Sequence, residues 1–250
     1  MSPLALSSVI FVLVLGGILL GSLLRRALPE HHLSKESQDV VRLGVGLVAT
    51  IGALVLGLLI ASAKSSFDTK SGQVRQITAD IILLDKTLSQ YGSETLSIRT
   101  QLRATLAPFV DRLWHEKAAS AGGPFETNVA AEKIYLEIYN LTPQNDFQRT
   151  LQSRAIQISV DLAQTRLLLF VSPDSAIPTP FLAILVFWLV IIFASFSLFS
   201  PLNTSTFVLL AVLALSASCA IFLILELSQP FEGLMQIPSA PLLNALAPLT

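Results

Sequence analysis

The chain has 250 residues, of which 52% are hydrophobic and only 13% charged, with a formal net charge of −1 at pH 7. A soluble domain carries about 25% charged residues, so the composition argues against an ordinary soluble enzyme, and the near-neutral balance offers no basic patch for nucleic acid. The 16 Lys or Arg and 17 Asp or Glu lie in three places only: Arg25 to Arg42, Lys64 to Asp174, and Glu226 with Glu232.

Crossing a bilayer as a helix takes about 20 apolar residues. Four segments meet that length. The first is Leu4 to Leu24, closed by Arg25 and Arg26. Its basic pair follows the apolar run, and the run is long for a signal-peptide core, so a retained helix is expected rather than a cleaved leader. The second is Leu43 to Ala63, between Arg42 and Lys64. Between Asp174 and Glu226 come 51 consecutive residues without a formal charge, enough for a third span at Thr179 to Ser200 and a fourth at Thr206 to Leu225. They are joined by the polar hairpin "SPLNTST", whose Pro201 and Asn203 favour a turn. A carboxylate at the centre of a membrane helix costs about 2.5–3.5 kcal/mol, so Glu226 is expected where the fourth helix meets the headgroups.

Residues 64–176 differ in kind, with 12 basic and 12 acidic side chains. Val74, Ile77, Ile81, Leu84, Leu88 and Tyr91 recur at spacings of three and four, the mark of an amphipathic helix with a packing seam. Gly92 suits a C-terminal cap and Ser93 the start of the next helix. There Ile98, Leu102, Leu106, Phe109 and Leu113 continue the pattern, with Pro108 a kink site. "SAGGPFET" is a loop, and a shorter helix is expected over Asn128 to Leu141. Thr142 with Pro143 predicts the cap and first turn of a long helix, whose apolar face carries Phe147, Leu151, Ala155, Ile158, Leu162, Thr165 and Leu169. No stretch alternates like a strand. The expected fold class is an all-α integral membrane protein of four transmembrane helices, with a helical extramembrane domain between helices 2 and 3. Its divisions are 1–63, 64–176, 177–227 and an interfacial C-terminal segment 228–250, which prolines at 230, 238, 241 and 248 keep from being a fifth span.

Motifs for chemistry are few. His31 and His32 have no third metal ligand nearby and read as solvated surface, and His115 as an ordinary amphipathic position. Cys219 is the only cysteine and lies in the fourth span, which leaves no disulfide or zinc site. There is no phosphate loop, no GxSxG, no HExxH and no carboxylate or lysine within a span. No enzyme, cofactor or metal is expected.

The membrane helices carry the remaining patterns. Gly17 and Gly21 form a GxxxG in the first span. In the second, Ala49, Ala53, Gly57, Ala61 and Ser65 make a ridge of small residues that lets another backbone approach. Ile51, Val55, Leu58 and Ser62 lie on a different face, an apolar surface that either lines a pore neck or packs against lipid and protein.

"LPEHHLS" (28–34), "ASAKSSFD" (61–68), "ADIILLD" (79–85), "YG" (91–92), "PQND" (143–146), "FASF" (193–196) and "LELSQPFEGL" (225–234) resemble the bestrophin-like bacterial membrane proteins. The last motif contributes Glu226, Pro230, Phe231 and Gly233. Ser228, where the family pattern has an acid, and Leu202, often basic there, depart from it. The resemblance implies a homo-oligomer in the bacterial inner membrane, a pentamer by analogy. It also implies a second helix that lines a pore for chloride or other anions. A non-conducting helical scaffold or sensor is the alternative.

Orientation is balanced on charge. Arg25, Arg26, Lys35 and Arg42 face Lys64, Lys70, Arg75 and Arg166 across the bilayer. No basic residue precedes the first helix, which favours loop 25–42 inside and the domain in the periplasm; the bestrophin arrangement implies the reverse.

Overall fold

The computed structural model describes residues 2–28, 35–114, 128–171, 179–200 and 203–244. His31, His32, His115, the whole "SAGGPFET" loop, Pro201, Leu202 and residues 245–250 lie outside them, as do the side chains of Leu106 and Leu113. Eight α-helices follow in order: α1 (Pro3–Ala27), α2 (Lys35–Tyr91), α3 (Leu96–Trp114), α4 (Asn128–Tyr139), α5 (Asp146–Val171), α6 (Thr179–Phe199), α7 (Thr204–Leu227) and the short α8 (Ala240–Asn244). Among the described residues there is no strand. Among the described residues four helices are long and apolar enough to cross a membrane: α1, α2, α6 and α7. The protein is an all-α integral membrane protein, with its extramembrane helices between the second and third spans.

The chain forms two compact units. One comprises Met1–Phe67 with Ser175–Gln229, and the other Asp68–Asp174 with Pro230–Thr250. α2 is a single helix of 57 residues that contributes its first part to one unit and its second part to the other.

In the membrane unit, α1 begins with Ser2 as its cap, the hydroxyl accepting from the Ala5 amide at 3.3 Å, and Pro3 in the first turn where no amide is needed. Arg25 and Arg26 close it at the negative end of the helix dipole. Ile10, Val14 and Ile18, spaced by four, form one stripe of α1 and meet Leu185 and Phe193 of α6 and Leu210, Ala214 and Ile221 of α7. A second cluster joins Ala63 of α2 to Ile224 and Leu227 of α7.

The helical unit is built on the α2 seam. Val74, Ile77, Ile81, Leu84, Leu88 and Tyr91 are all buried, as are Ile98, Leu102 and Phe109 of α3, Ile134 and Ile138 of α4, and Ala155, Ile158 and Leu169 of α5. Phe147, expected on the apolar face of α5, is 64% exposed, because it sits at the first turn of the helix, beyond the packed face.

Polar side chains tie the helix ends together. Gly92 takes φ 139°, a region costly for residues with a Cβ, and ends α2 there. Thr95, not Ser93, closes the turn: its buried hydroxyl lies within hydrogen-bonding distance of the Leu88 and Gly92 carbonyls. α5 starts at Asp146, not Thr142. Asn145 is its cap, its Oδ1 accepting from the Gln148 amide at 2.8 Å, while Gln148 Oε1 accepts from the Gln144 amide at 2.7 Å. The side chains of Asn145 and Gln148 thus each satisfy a free amide at the start of α5, in the manner of a capping box. Gln148 Nε2 also donates to the Tyr91 carbonyl at 3.0 Å, and Gln152 Nε2 donates to three carbonyls at the end of α4, those of Ile138, Tyr139 and Leu141. These are the orphan acceptors every helix leaves at its C-terminus.

The strongest polar tie is Asp85. Arg99 grips it with Nε and Nη2 at 2.9 Å each, and Arg103 adds a contact at 3.5 Å. The Arg99 hydrogen bonds outweigh burial and hold the Asp85 carboxyl below the usual carboxylate range. A carboxylate with a depressed folded-state pKa contributes stability above its unfolded pKa, and that contribution is lost as pH falls through the folded value. Asp85→Asn is therefore expected to lower the stability of the helical unit at neutral pH by about 1.5–3 kcal/mol, the range for a charge-assisted bond. Below about pH 4, where an unperturbed aspartate protonates, the gap between wild type and variant should narrow. Thermal unfolding followed by circular dichroism across this pH range measures both.

Candidate pore helix and C-terminal motif

The spanning helices differ in how much of each the chain itself covers. In the most apolar stretch of each helix, 33% of residues are buried in α1, 22% in α6 and 28% in α7, but only 6% in α2. α2 enters the bilayer with most of its surface unpartnered by its own chain.

Its side chains fall on three arcs. Gly52 and Ala63 are buried, and Leu56 and Leu59 are half-buried against the packed clusters of α1, α6 and α7. This arc faces the chain's own bundle. Gly52 approaches Trp188 of α6, whose ring would lie 3.8 Å from an added Cβ. The small-residue ridge at Ala49, Ala53, Gly57 and Ala61 lies elsewhere: Ala53, Gly57 and Ala61 are exposed, and Gly57 has no neighbour within 4 Å of an added Cβ. Ile51, Val55, Leu58 and Ser62 occupy a third arc, with Leu58 70% and Ile51 40% exposed. At 3.6 residues per turn, each arc is separated from the next by roughly 100° or more. The position that packs within the chain, Gly52, falls outside the i, i+4 ridge. Only the arc shared with Leu56, Leu59 and Ala63 identifies it.

The GxxxG of α1 has a different setting. A Cβ on Gly17 would stand 3.0 Å from the Val190 carbonyl oxygen, and one on Gly21 would overlap the Ala194 carbonyl outright. These two glycines let the backbones of α1 and α6 meet, in a medium where helix association depends on such close packing rather than on the hydrophobic effect.

The C-terminal motif is a turn followed by a dock. Glu226 is only 2% exposed, enclosed by the chain rather than directed at headgroups. Apolar periodicity marks where a span ends but not whether its last acid turns inward. Gly233 takes φ 89°, in the left-handed region, and the Ile237 amide donates to the Pro230 carbonyl at 2.8 Å to close the loop. Phe231 packs edge-on against Trp114 of α3 with ring centroids 5.4 Å apart, and the Trp114 indole donates to the Ile237 carbonyl at 2.8 Å. The segment proposed as interfacial thus includes a stretch held on α3. Cys219 is exposed on α7, and no group of three or more metal-ligating side chains occurs among the described residues.

Four spanning helices and a helical unit inserted between the second and third define a polytopic helical membrane protein. The Bestrophin-like domain matches residues 12–242, and the chain belongs to the bestrophin-like family. Its fold is similar to that of a bacterial bestrophin homologue from Klebsiella pneumoniae solved by zinc phasing, with a TM-score of 0.67 at 16% identity over 94% of each chain. A single-substitution variant of that homologue gives 0.70 at 15% identity, covering 98% of this chain and 96% of the other. Another gives 0.69 at 15% identity, with 96% and 98% covered. No curated protein matches the chain.

The glycine geometry separates folding from assembly. Gly21→Leu should displace α6 and lower the temperature at which the purified protein loses its monodisperse peak, by the equivalent of about 1–3 kcal/mol. Gly57→Leu meets open space within the chain and should leave that temperature nearly unchanged. A Gly57→Leu variant that melts like Gly21→Leu would mean that the ridge packs within the chain.

Proposed function

We propose that the protein is a homo-oligomeric ion channel in the bacterial inner membrane, with the spanning part of α2 from each copy around a central path. The observation that carries this reading is the 6% burial of the α2 span in a chain of the bestrophin-like family. An apolar helix with two free faces must be covered by lipid or by copies of itself. Its ridge at Ala49, Ala53, Gly57 and Ala61 has the small residues that close helix contacts use. Its third arc then faces the axis, with Ser62 at one end of an apolar neck formed by Ile51, Val55 and Leu58. Such a neck holds ions back by failing to hold water, so widening or polarity at one ring acts more strongly than charge elsewhere. Anions, chloride among them, are the proposed permeant class and the pentamer the proposed stoichiometry, both from the family. No chemistry is assigned to catalytic residues.

Wild-type protein in mild detergent should have the mass of a multimer, and Gly57→Leu should shift it towards monomer. In reconstituted vesicles, Ile51→Ala or Leu58→Ser should raise anion flux by about tenfold or more, since 1.4 kcal/mol off a barrier is a factor of ten. Ala53→Ser should alter assembly instead. A multimer that carries no flux, as wild type or with the neck widened, would establish the scaffold reading.

Sidedness is proposed from the charge rule, which puts loop 25–42 in the cytoplasm and the helical unit in the periplasm. In a Cys219→Ser background, Ser34→Cys should resist a membrane-impermeant thiol reagent in intact cells and Ser120→Cys should react. The reverse labelling would establish the bestrophin arrangement.

A further inference from the structure

The helical unit contains a cavity of about 470 Å³ that the channel reading does not use. Its floor is the buried part of the α2 seam, Ile77, Ile81 and Leu84, and its walls include Phe109 and Ile134. The volume falls in the lower half of the range of about 300–1,000 Å³ typical of small-ligand pockets, and the lining has their usual character, mostly apolar with few polar groups.

Two charged side chains lie on the lining: Glu132, which is exposed to solvent, and the more buried Arg166. Arg166 lines the cavity, and its guanidinium sits over the Phe109 ring, 4.7 Å from the centroid. Among the described residues no carboxylate lies within ion-pair distance of it. Desolvation by burial pushes its pKa down. A half-buried cation without a partner carries a desolvation cost that an incoming anion relieves. Arg99, by comparison, is fully engaged by Asp85.

We propose that this cavity is a binding site for a single-chain amphipathic carboxylate of the fatty-acid class, with the acyl chain over the α2 seam and the carboxylate on Arg166. The apolar floor and walls match a hydrocarbon chain. The guanidinium at the lining matches a carboxylate, for which arginine has a bidentate geometry. The volume suits one acyl chain rather than the two of a phospholipid.

The test is photolabelling of the full-length protein in lipid nanodiscs with dodecanoate carrying a diazirine in its chain. Labelled peptides are mapped by mass spectrometry, and the same chain ending in an alcohol is run in parallel. The expected result is saturable labelling of the peptides that carry Ile81, Phe109 or Leu162, displaced by unlabelled dodecanoate. The alcohol should label them about tenfold more weakly, the loss of one charge-assisted contact. Arg166→Gln should weaken labelling by a similar factor, and Arg166→Lys should retain most of it. Ala163→Trp, at an exposed position on the lining, should block entry without disturbing the core. Equal labelling by acid and alcohol would overturn the role of Arg166. Labelling confined to the spanning helices, or unaffected by Ala163→Trp, would overturn the site. An Arg166→Gln variant that changes oligomeric mass and leaves labelling intact would make the cavity a contact between copies.

Discussion

Hydrocarbon offers no hydrogen-bonding partner to a peptide group, so every amide and carbonyl within the bilayer must be satisfied inside its own helix or a closed barrel. That constraint dictates the four spans, and it leaves side chains to decide what the helices do next. In water, burying apolar surface would bring any two of these helices together. In lipid the surroundings are as apolar as leucine, and contact depends on how closely two backbones fit. Gly17 and Gly21 make that fit for α1 on α6. α2 buries Gly52 and Ala63 and half-buries Leu56 and Leu59 on its bundle-facing arc, and its other two arcs remain available to lipid or to a second copy.

Once α2 passes Phe67, the rules change. From Val74 onward the same helix packs by the hydrophobic effect, with six seam residues buried in series. Polar groups then finish what the seam begins. Asp85 with Arg99, Gln148 with the Tyr91 carbonyl, and Gln152 with the end of α4 each join two different helices. Their net contributions are of the order of 1 kcal/mol each, but each satisfies a helix end or a charge that would be costly to leave unpaired. The Trp114 contact with Ile237 extends the same logic to the C-terminal segment.

Charges near the seam of this unit are met in different ways. Asp85 is met by Arg99 and Arg103, whereas Asp80, also buried, accepts from the Gln76 side chain at one oxygen only. At Arg166 the neighbour is an aromatic face, which stabilises a cation weakly and does not neutralise it.

The sequence by itself determined the membrane class, the four spans and the α2 seam, because these depend on length, charge and period along one chain, each of which is local. It also contained the family's motifs from end to end. Caps were less legible: Thr142 and Ser93 have the right chemistry, but Asn145 and Thr95 have the right neighbours, and those depend on a turn's exact geometry. Only the tertiary structure decided which face of α2 meets its own bundle, that Glu226 turns inward, and that Arg166 stands over Phe109 beside a cavity. Period assigns residues to the faces of a helix. Which face meets which neighbour depends on residues far away in the chain, and periodicity carries no record of them.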